Sequence, residues 1–293
     1  MKRKHLLLNS LAFLVMLGIS LDSCNSTQKE EVIYKDYDLS KPEKFNMPES
    51  LFEISGLTFV DGKADTVYAI QDEEGKLFRL AWDIPKQLHT KFGKKGDYED
   101  VAIMNDQAYI LKSNGAIYAL PMSETVFEEA DVVKELKGLL PKGEYEGMYA
   151  DAETGELYVI CKNCAEDDSK SSVTGYIFKP SQDTTGVPRT GVPRTFSINV
   201  NQIKAITGKV ARGFRPSGLA KNPLTKEWYI ISAVNKLMVV TDSQWKVKDA
   251  FPLNGNMFIQ PEGIAFDKAG NLYISNEGDD LFSGNILKFK KIK

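Results

Sequence analysis

Pro261-Glu262-Gly263-Ile264-Ala265-Phe266-Asp267, followed after a short turn by Asn271-Leu272-Tyr273-Ile274-Ser275-Asn276-Glu277-Gly278, decides the fold, because the chain writes this pair of segments five times. Ile54-Ser55-Gly56-Leu57-Thr58 precedes the apolar run 66–71, and Tyr98-Glu99-Asp100-Val101-Ala102 precedes 107–112. Tyr145-Glu146-Gly147-Met148-Tyr149 precedes 156–160, and Pro216-Ser217-Gly218-Leu219-Ala220 precedes 227–231. Aligned on Ser55, Glu99, Glu146, Ser217 and Glu262, the repeats step by 44, 47, 71 and 45 residues. A period of about 40 to 50 residues holding several short strands is that of a β-propeller blade.

Each period parses alike. In the first, 56–60 is an inner strand, 66–71 a second, 76–82 a third and 87–92 an outer one, with Gly-containing turns between. The other periods supply third strands at 116–120, 175–179, 236–241 and 284–290. The last stops after its third strand, while the strand-like segment 34–39 has no blade of its own. An N-terminal strand at 34–39 that completes the last blade removes an exposed edge and gives an all-β propeller of five four-stranded blades. The long step contains Thr185-Gly186-Val187-Pro188-Arg189-Thr190-Gly191-Val192-Pro193-Arg194-Thr195, a tandem duplication, and is read as an inserted loop near 165–215. A sixth blade hidden at 195–215 is the alternative, although twenty residues are too few for four strands.

Ahead of the propeller, Lys2, Arg3 and Lys4 lead an apolar run that ends in Leu21-Asp22-Ser23-Cys24. This reads as a secretory signal over residues 1–23, with Asn9, Ser10 and Asp22 interrupting the run before it could span a bilayer. The ending resembles a bacterial lipobox, which implies lipid on Cys24 and a membrane anchor without a span. Residues 24–33 then read as a flexible tether, and 34–293 as one domain. Lys29-Glu30-Glu31 in the tether is similar to the surface-export signal of some envelope lipoproteins. The signal and the lipobox make the expected location the bacterial cell envelope, as an outer-membrane lipoprotein that the export signal would expose at the surface. Removing the leader takes the formal charge from −3 to about −5, so no nucleic-acid partner is expected. Cys161 and Cys164 are either a small disulfide loop or two thiols.

The repeat places Ser55, Glu99, Glu146, Ser217 and Glu262 at one mouth of the central channel. Carboxylates that converge on one axis repel unless something positive sits among them. Either a hard cation such as Ca²⁺ or the lysines Lys112 and Lys162 could serve. The metal candidates are Glu99, Glu146, Glu262, Asn276 and Glu277. Ser55, Lys112, Lys162, Arg215 and Ser217 are candidates for binding a ligand, with Arg215 suited to an anionic group. With only His89 left after the leader, a multi-histidine metal site is excluded, and a Ser-His-Asp triad would need that one residue, which falls in a predicted outer strand away from the channel. An aromatic in every second strand (Tyr68, Tyr109, Tyr158, Tyr229, Tyr273) reads as packing between blades.

The run Met47-Pro48-Glu49-Ser50-Leu51-Phe52-Glu53-Ile54-Ser55-Gly56-Leu57, with Gly96-Asp97-Tyr98-Glu99-Asp100, Tyr145-Glu146-Gly147-Met148 and Pro261-Glu262-Gly263-Ile264-Ala265, resembles the SdiA-regulated family of bacterial envelope propellers. More distantly the inner-strand motif is similar to NHL-repeat and gluconolactonase-type propellers. The resemblance implies an envelope propeller that binds a small molecule or an envelope protein at its channel mouth, with a divalent cation there. The second expectation is a metal-dependent hydrolase of lactones or phosphoesters, with Glu146 and Glu262 as ligands and Glu99 as general base. Ser55 and Ser217 stand where the gluconolactonase type has Asn and Asp ligands.

Overall fold

A computed structural model describes residues 33–34, 36–82, 87–165, 167–180 and 193–292. Cys24, the leader and the tether lie outside the described residues, as does most of the tandem duplication. Blade 1 is formed by Ile54–Thr58, Val67–Gln71, Lys76–Leu80 and Leu88–Lys91, in that order from the inside out. Blade 2 follows with Tyr98–Met104, Gln107–Lys112, Ile117–Pro121 and Lys134–Leu136. Gly143–Asp151, Glu156–Cys164, Ser172–Phe178 and Arg194–Asn199 make blade 3, and Gly218–Lys221, Trp228–Ser232, Leu237–Thr241 and Val247–Pro252 make blade 4. Blade 5 is Pro261–Phe266, Leu272–Asn276 and Asn285–Phe289, with Glu43–Asn46 as its outer strand. The ring therefore has five antiparallel sheets, and the sixth-blade alternative ends because 194–199 is the outer strand of blade 3.

The ring is closed by the N-terminal part of the chain, but by Glu43–Asn46 and not by 34–39. Asn46 opposes Asn285 and Glu43 opposes Lys288, whose ammonium lies 3.0 Å from the Glu43 carboxylate. Phe45 turns inward onto Trp82 of blade 1, with ring centroids 4.2 Å apart. Ile33–Tyr34 instead forms a two-rung hairpin with Tyr37–Asp38. The alternation that suggested a long strand arises because Tyr37 and Leu39 are buried between blades 4 and 5. The Tyr37 hydroxyl donates to the Gly270 carbonyl at 2.7 Å and accepts from the Asn222 amide at 3.0 Å, tying together the turns that follow the inner strands of those two blades.

The glycine of the repeat has a direct cause. A Cβ on Gly218 would stand 2.7 Å from the Glu262 carbonyl, and one on Gly263 would stand 2.5 Å from the Ser55 carbonyl. On Gly147 it would meet the Leu219 nitrogen at 2.9 Å, and on Gly56 the Asp100 Cα at 2.6 Å. Neighbouring inner strands thus approach backbone to backbone, as a ring of few blades requires, and only glycine fits. Blade 2 departs from the rule with Asp100, which is wholly buried. One of its oxygens accepts from its own blade at Val101 N and the other from blade 3 at Met148 N, at 2.8 and 2.7 Å.

The second-strand aromatics pack between blades, as expected. Tyr229 of blade 4 meets Phe266 of blade 5, and Tyr273 of blade 5 meets Phe59 of blade 1. The helix Val200–Thr207, not anticipated from the sequence, uses part of the long step. Asn199 caps it by accepting from Asn201 N, Gly208 ends it with φ of 76°, and Val200 and Ile203 are its buried residues, in the core cluster that blades 3 and 4 share. Among the described residues no helix is long and apolar enough to cross a membrane.

Candidate functional site

The inner strands start at one mouth of the channel, here the proximal mouth, and end at the other, the distal mouth. At the proximal mouth the ring position is filled by two serines and three glutamates. Ser217 and Ser55 take part in inter-blade bonds: the Ser217 hydroxyl donates to the Pro261 carbonyl at 2.6 Å, and the Ser55 carbonyl accepts from the Ser275 hydroxyl at 2.6 Å. Glu99, Glu146 and Glu262 are the acids of the ring. Tyr98 and Tyr145, one residue earlier in blades 2 and 3, anchor two of these strands by donating to carbonyls four residues upstream, Lys94 and Pro141, each at 2.8 Å.

Lys162 is the cation among them. It comes from the second strand of blade 3 and donates to Glu146 Oε1 at 2.7 Å. Burial works to depress its pKa, but Glu146, Glu262 and Glu99 together hold it above the usual lysine range. Its position is fixed on both sides, because Cys161 and Cys164 form a disulfide with Cα atoms 6.0 Å apart. The Cys-Lys-Asn-Cys segment is thus a closed loop that presents Lys162 to the channel. Asp167 lies close to the two sulfurs, but bonded sulfurs are not thiolate ligands.

Acids outnumber the cations at this mouth, and their acidities show it. Burial, then Glu146 and Asp97, push Glu99 up to about 10. Burial and the Glu146 charge raise Glu262 to about 8, against the pull of Lys162 and Lys236. Glu277 rises to about 7 through burial, Asp72 and Glu53, and Asp72 to about 6 through burial, Glu53 and Glu73. Glu146 is also raised by burial, although Lys162 opposes this. Lys236, from the turn before the third strand of blade 4, has its pKa depressed by burial while Glu262 pulls it up.

Two buried oxygens in this region have no hydrogen-bond partner, Oδ1 of Asp72 and Oδ1 of Asn276. They stand at the ends of the second strands of blades 1 and 5, which are neighbours in the ring. The donor set of Asp72, Glu262, Asn276 and Glu277 is of the kind that hard cations take. Glu99, Glu146 and Glu262 do not bring their oxygens together in one compact group; among the described residues the three-member group with that closeness is the cysteine pair and Asp167. Asp72, Glu262 and Glu277 do not form such a compact group either; what marks the blade 5 to blade 1 sector is the pair of unpartnered oxygens on Asp72 and Asn276.

The other expected residues are placed elsewhere. Lys112 lies over the Tyr98 ring, 5.2 Å from its centroid, and its charge acts on Glu135. Arg215 holds the loop through its backbone N–H to Asn235 Oδ1, and its guanidinium has no ion pair among the described residues. Asp72, Asp97, Glu53 and Lys236 shape the mouth without belonging to the repeat position that marked the glutamates. The signal for Asp97 was its place two residues before Glu99; Lys236 carried none, since it sits in a turn with φ of 48°.

Residues 190–283 match the model of the family described as SdiA-regulated, a stretch that runs from the outer strand of blade 3 into blade 5. No curated protein matches the sequence. Among solved structures, glutaminyl cyclase of Myxococcus xanthus superposes with a TM-score of 0.52 at 12% identity, over 86% of this chain and 96% of that one. The luciferin-regenerating enzyme superposes with a TM-score of 0.50 at 10% identity, over 86% and 98%. Regucalcin of Agrobacterium tumefaciens, described as a calcium-binding protein, gives 0.46 at 13% identity, over 84% and 92%. The superpositions on glutaminyl cyclase and the luciferin-regenerating enzyme show a shared fold and nothing about activity. The chain is a five-bladed β-propeller, and its residues 190–283 are similar to the family described as SdiA-regulated.

Proposed function

We propose that this propeller is a binding protein of the bacterial cell envelope, anchored by lipid on Cys24, which holds its ligand at the proximal mouth through a divalent cation. The observation that carries the reading is the surplus of buried carboxylates over Lys162 and Lys236, together with the unpartnered oxygens of Asp72 and Asn276. Buried carboxylates in excess take up either protons or a cation. Hard oxygen donors suit Ca²⁺, and an open coordination position on such an ion is where a small molecule or an envelope protein would engage. The hydrolase reading asks Glu99 to accept a proton, and burial with Glu146 and Asp97 beside it disfavours its ionised form when no cation is bound. The unpartnered oxygens and the surplus of carboxylates support binding of a cation and its ligand, and a metal-dependent hydrolase is the alternative reading.

Equilibrium dialysis with metal analysis, and melting with Ca²⁺ or chelator, test this. At 100-fold excess over the dissociation constant Ca²⁺ stabilises by about 2.7 kcal/mol, and Glu262→Gln removes most of that gain. A protein that retains no metal and melts identically in Ca²⁺ and chelator would sink the proposal. For the anchor, intact-mass measurement of membrane-extracted protein shows the added lipid, and Cys24→Ser lacks it.

A further inference from the structure

The distal mouth opens into a cavity of about 550 Å³, separate from the acidic ring and not used by the proposal above. Its volume is in the range of small-molecule sites, roughly 300 to 1,000 Å³. The lining comes from all five inner strands, and it continues outward between blades 1 and 2 to Tyr68 and Arg79 on one side and Met122 and Thr125 on the other. The lining mixes polar and apolar groups, and Ile103, Met104, Met122 and Met148 form its apolar wall. Methionine side chains adapt to irregular apolar ligands.

Most of the charges around it are spoken for; Lys268, on an exposed turn at the rim, has no ion pair among the described residues. Asp151 accepts from Lys221 at 2.8 Å and from the N–H groups of its own turn. Asp267 accepts from Ala269, Asn271 and Tyr273. Lys226 lies 3.7 Å from Glu153, and Asp61 lies 3.6 Å from Lys63. Asp106 sits on an exposed turn. Arg79 is different: its Nε is shut off from solvent and has no hydrogen-bond partner, and its guanidinium makes no ion pair among the described residues. A buried guanidinium nitrogen without an acceptor is costly, and a carboxylate is the group whose two oxygens match its fork.

We propose that this distal cavity is a second binding site, for a small amphipathic carboxylate whose apolar body lies against the methionine-rich wall and whose carboxylate meets Arg79. The test uses decanoate, 1-decanol and decyltrimethylammonium as probes on the full-length protein, with affinity read by calorimetry below the concentrations at which the probes aggregate. Decanoate should bind about 10- to 100-fold more tightly than decanol, the effect of one charge-assisted pair, and the cationic probe most weakly. Arg79→Gln should bring decanoate and decanol to within about twofold, Arg79→Lys should fall between, and Ala265→Phe, which fills the cavity, should remove binding of both. Comparison of the three probes on the unmodified protein stands even where a variant fails to fold. Equal affinity for decanoate and decanol, no binding of decanoate, or unchanged decanoate affinity in Arg79→Gln would each overturn the proposal. Ca²⁺ or chelator should leave decanoate affinity unchanged, which separates this site from the proximal mouth.

Discussion

Replacing Glu262 with Gln tests the electrostatics of the proximal mouth directly. An unfolded glutamate releases its proton near pH 4.5, whereas burial and Glu146 hold Glu262 protonated in the fold up to about pH 8. Between these values the folded state carries a proton that the unfolded chain has lost. Stability therefore falls as pH rises through that window, by at most ~1.4 kcal/mol per pH unit. The ceiling over the whole window is about 4 to 5 kcal/mol. Because Glu146, Glu277 and Lys162 relax together with Glu262, about half of that is expected from a single substitution. Gln removes the cost of ionising a buried group, so at pH 8.5, without metal, the variant should be about 2 kcal/mol more stable than the parent. At this domain size that is a rise in Tm of roughly 4 to 8 °C. At pH 5.5 the parent keeps the proton and the difference should shrink below about 1 kcal/mol. Melting both proteins by circular dichroism in chelator at the two pH values decides it. A variant less stable than the parent by the same amount at both values would mean that Glu262 is an ionised partner of Lys162, and the reasoning about surplus acid would fail.

Three further outcomes follow from the same contacts. Asp100→Ala should cost about 2 to 4 kcal/mol in urea unfolding, because it leaves the Met148 and Val101 N–H groups without their acceptor; a loss under 0.5 kcal/mol would show that the contact between blades 2 and 3 does not depend on it. Replacing both Cys161 and Cys164 with Ser should cost about 2 kcal/mol, the chain-entropy value for so short a loop, and an unchanged Tm with and without reductant would contradict it. Deleting residues 1–46 should leave Asn285–Phe289 as a bare edge, seen as aggregation and loss of a single cooperative transition; a monomer that melts like the parent would show that the ring closes without Glu43–Asn46.

The fold was legible because its determinants recur. The Gly ring follows from backbone contact between inner strands, and a steric rule met in four blades out of five writes itself into the sequence. Ring closure was legible as a need but not as a location. Segment 34–39 has the stronger alternation, yet its burial belongs to Tyr37 and Leu39 wedged between blades. Glu43–Asn46 is a polar outer strand in which only Phe45 faces in, so pattern alone undervalues it. The three ring glutamates were found by position, and Lys162 by its place at a strand end. Lys236 and the role of Asp72 depend on loops from different blades meeting in space, which no local spacing records. Arg79 lies in an ordinary third strand, and only the three-dimensional arrangement shows that nothing answers its charge.

The strand Glu43–Asn46 pairs with residues near the opposite end of the chain. During synthesis the early blades can gather as they emerge, but the circle has no final rung until residues 285–288 have left the ribosome. Until then the nascent chain stays an open arc with an unpaired edge. The last blade is thus the last to be completed, and its unpaired strand Asn285–Phe289 is the edge that Glu43–Asn46 must find.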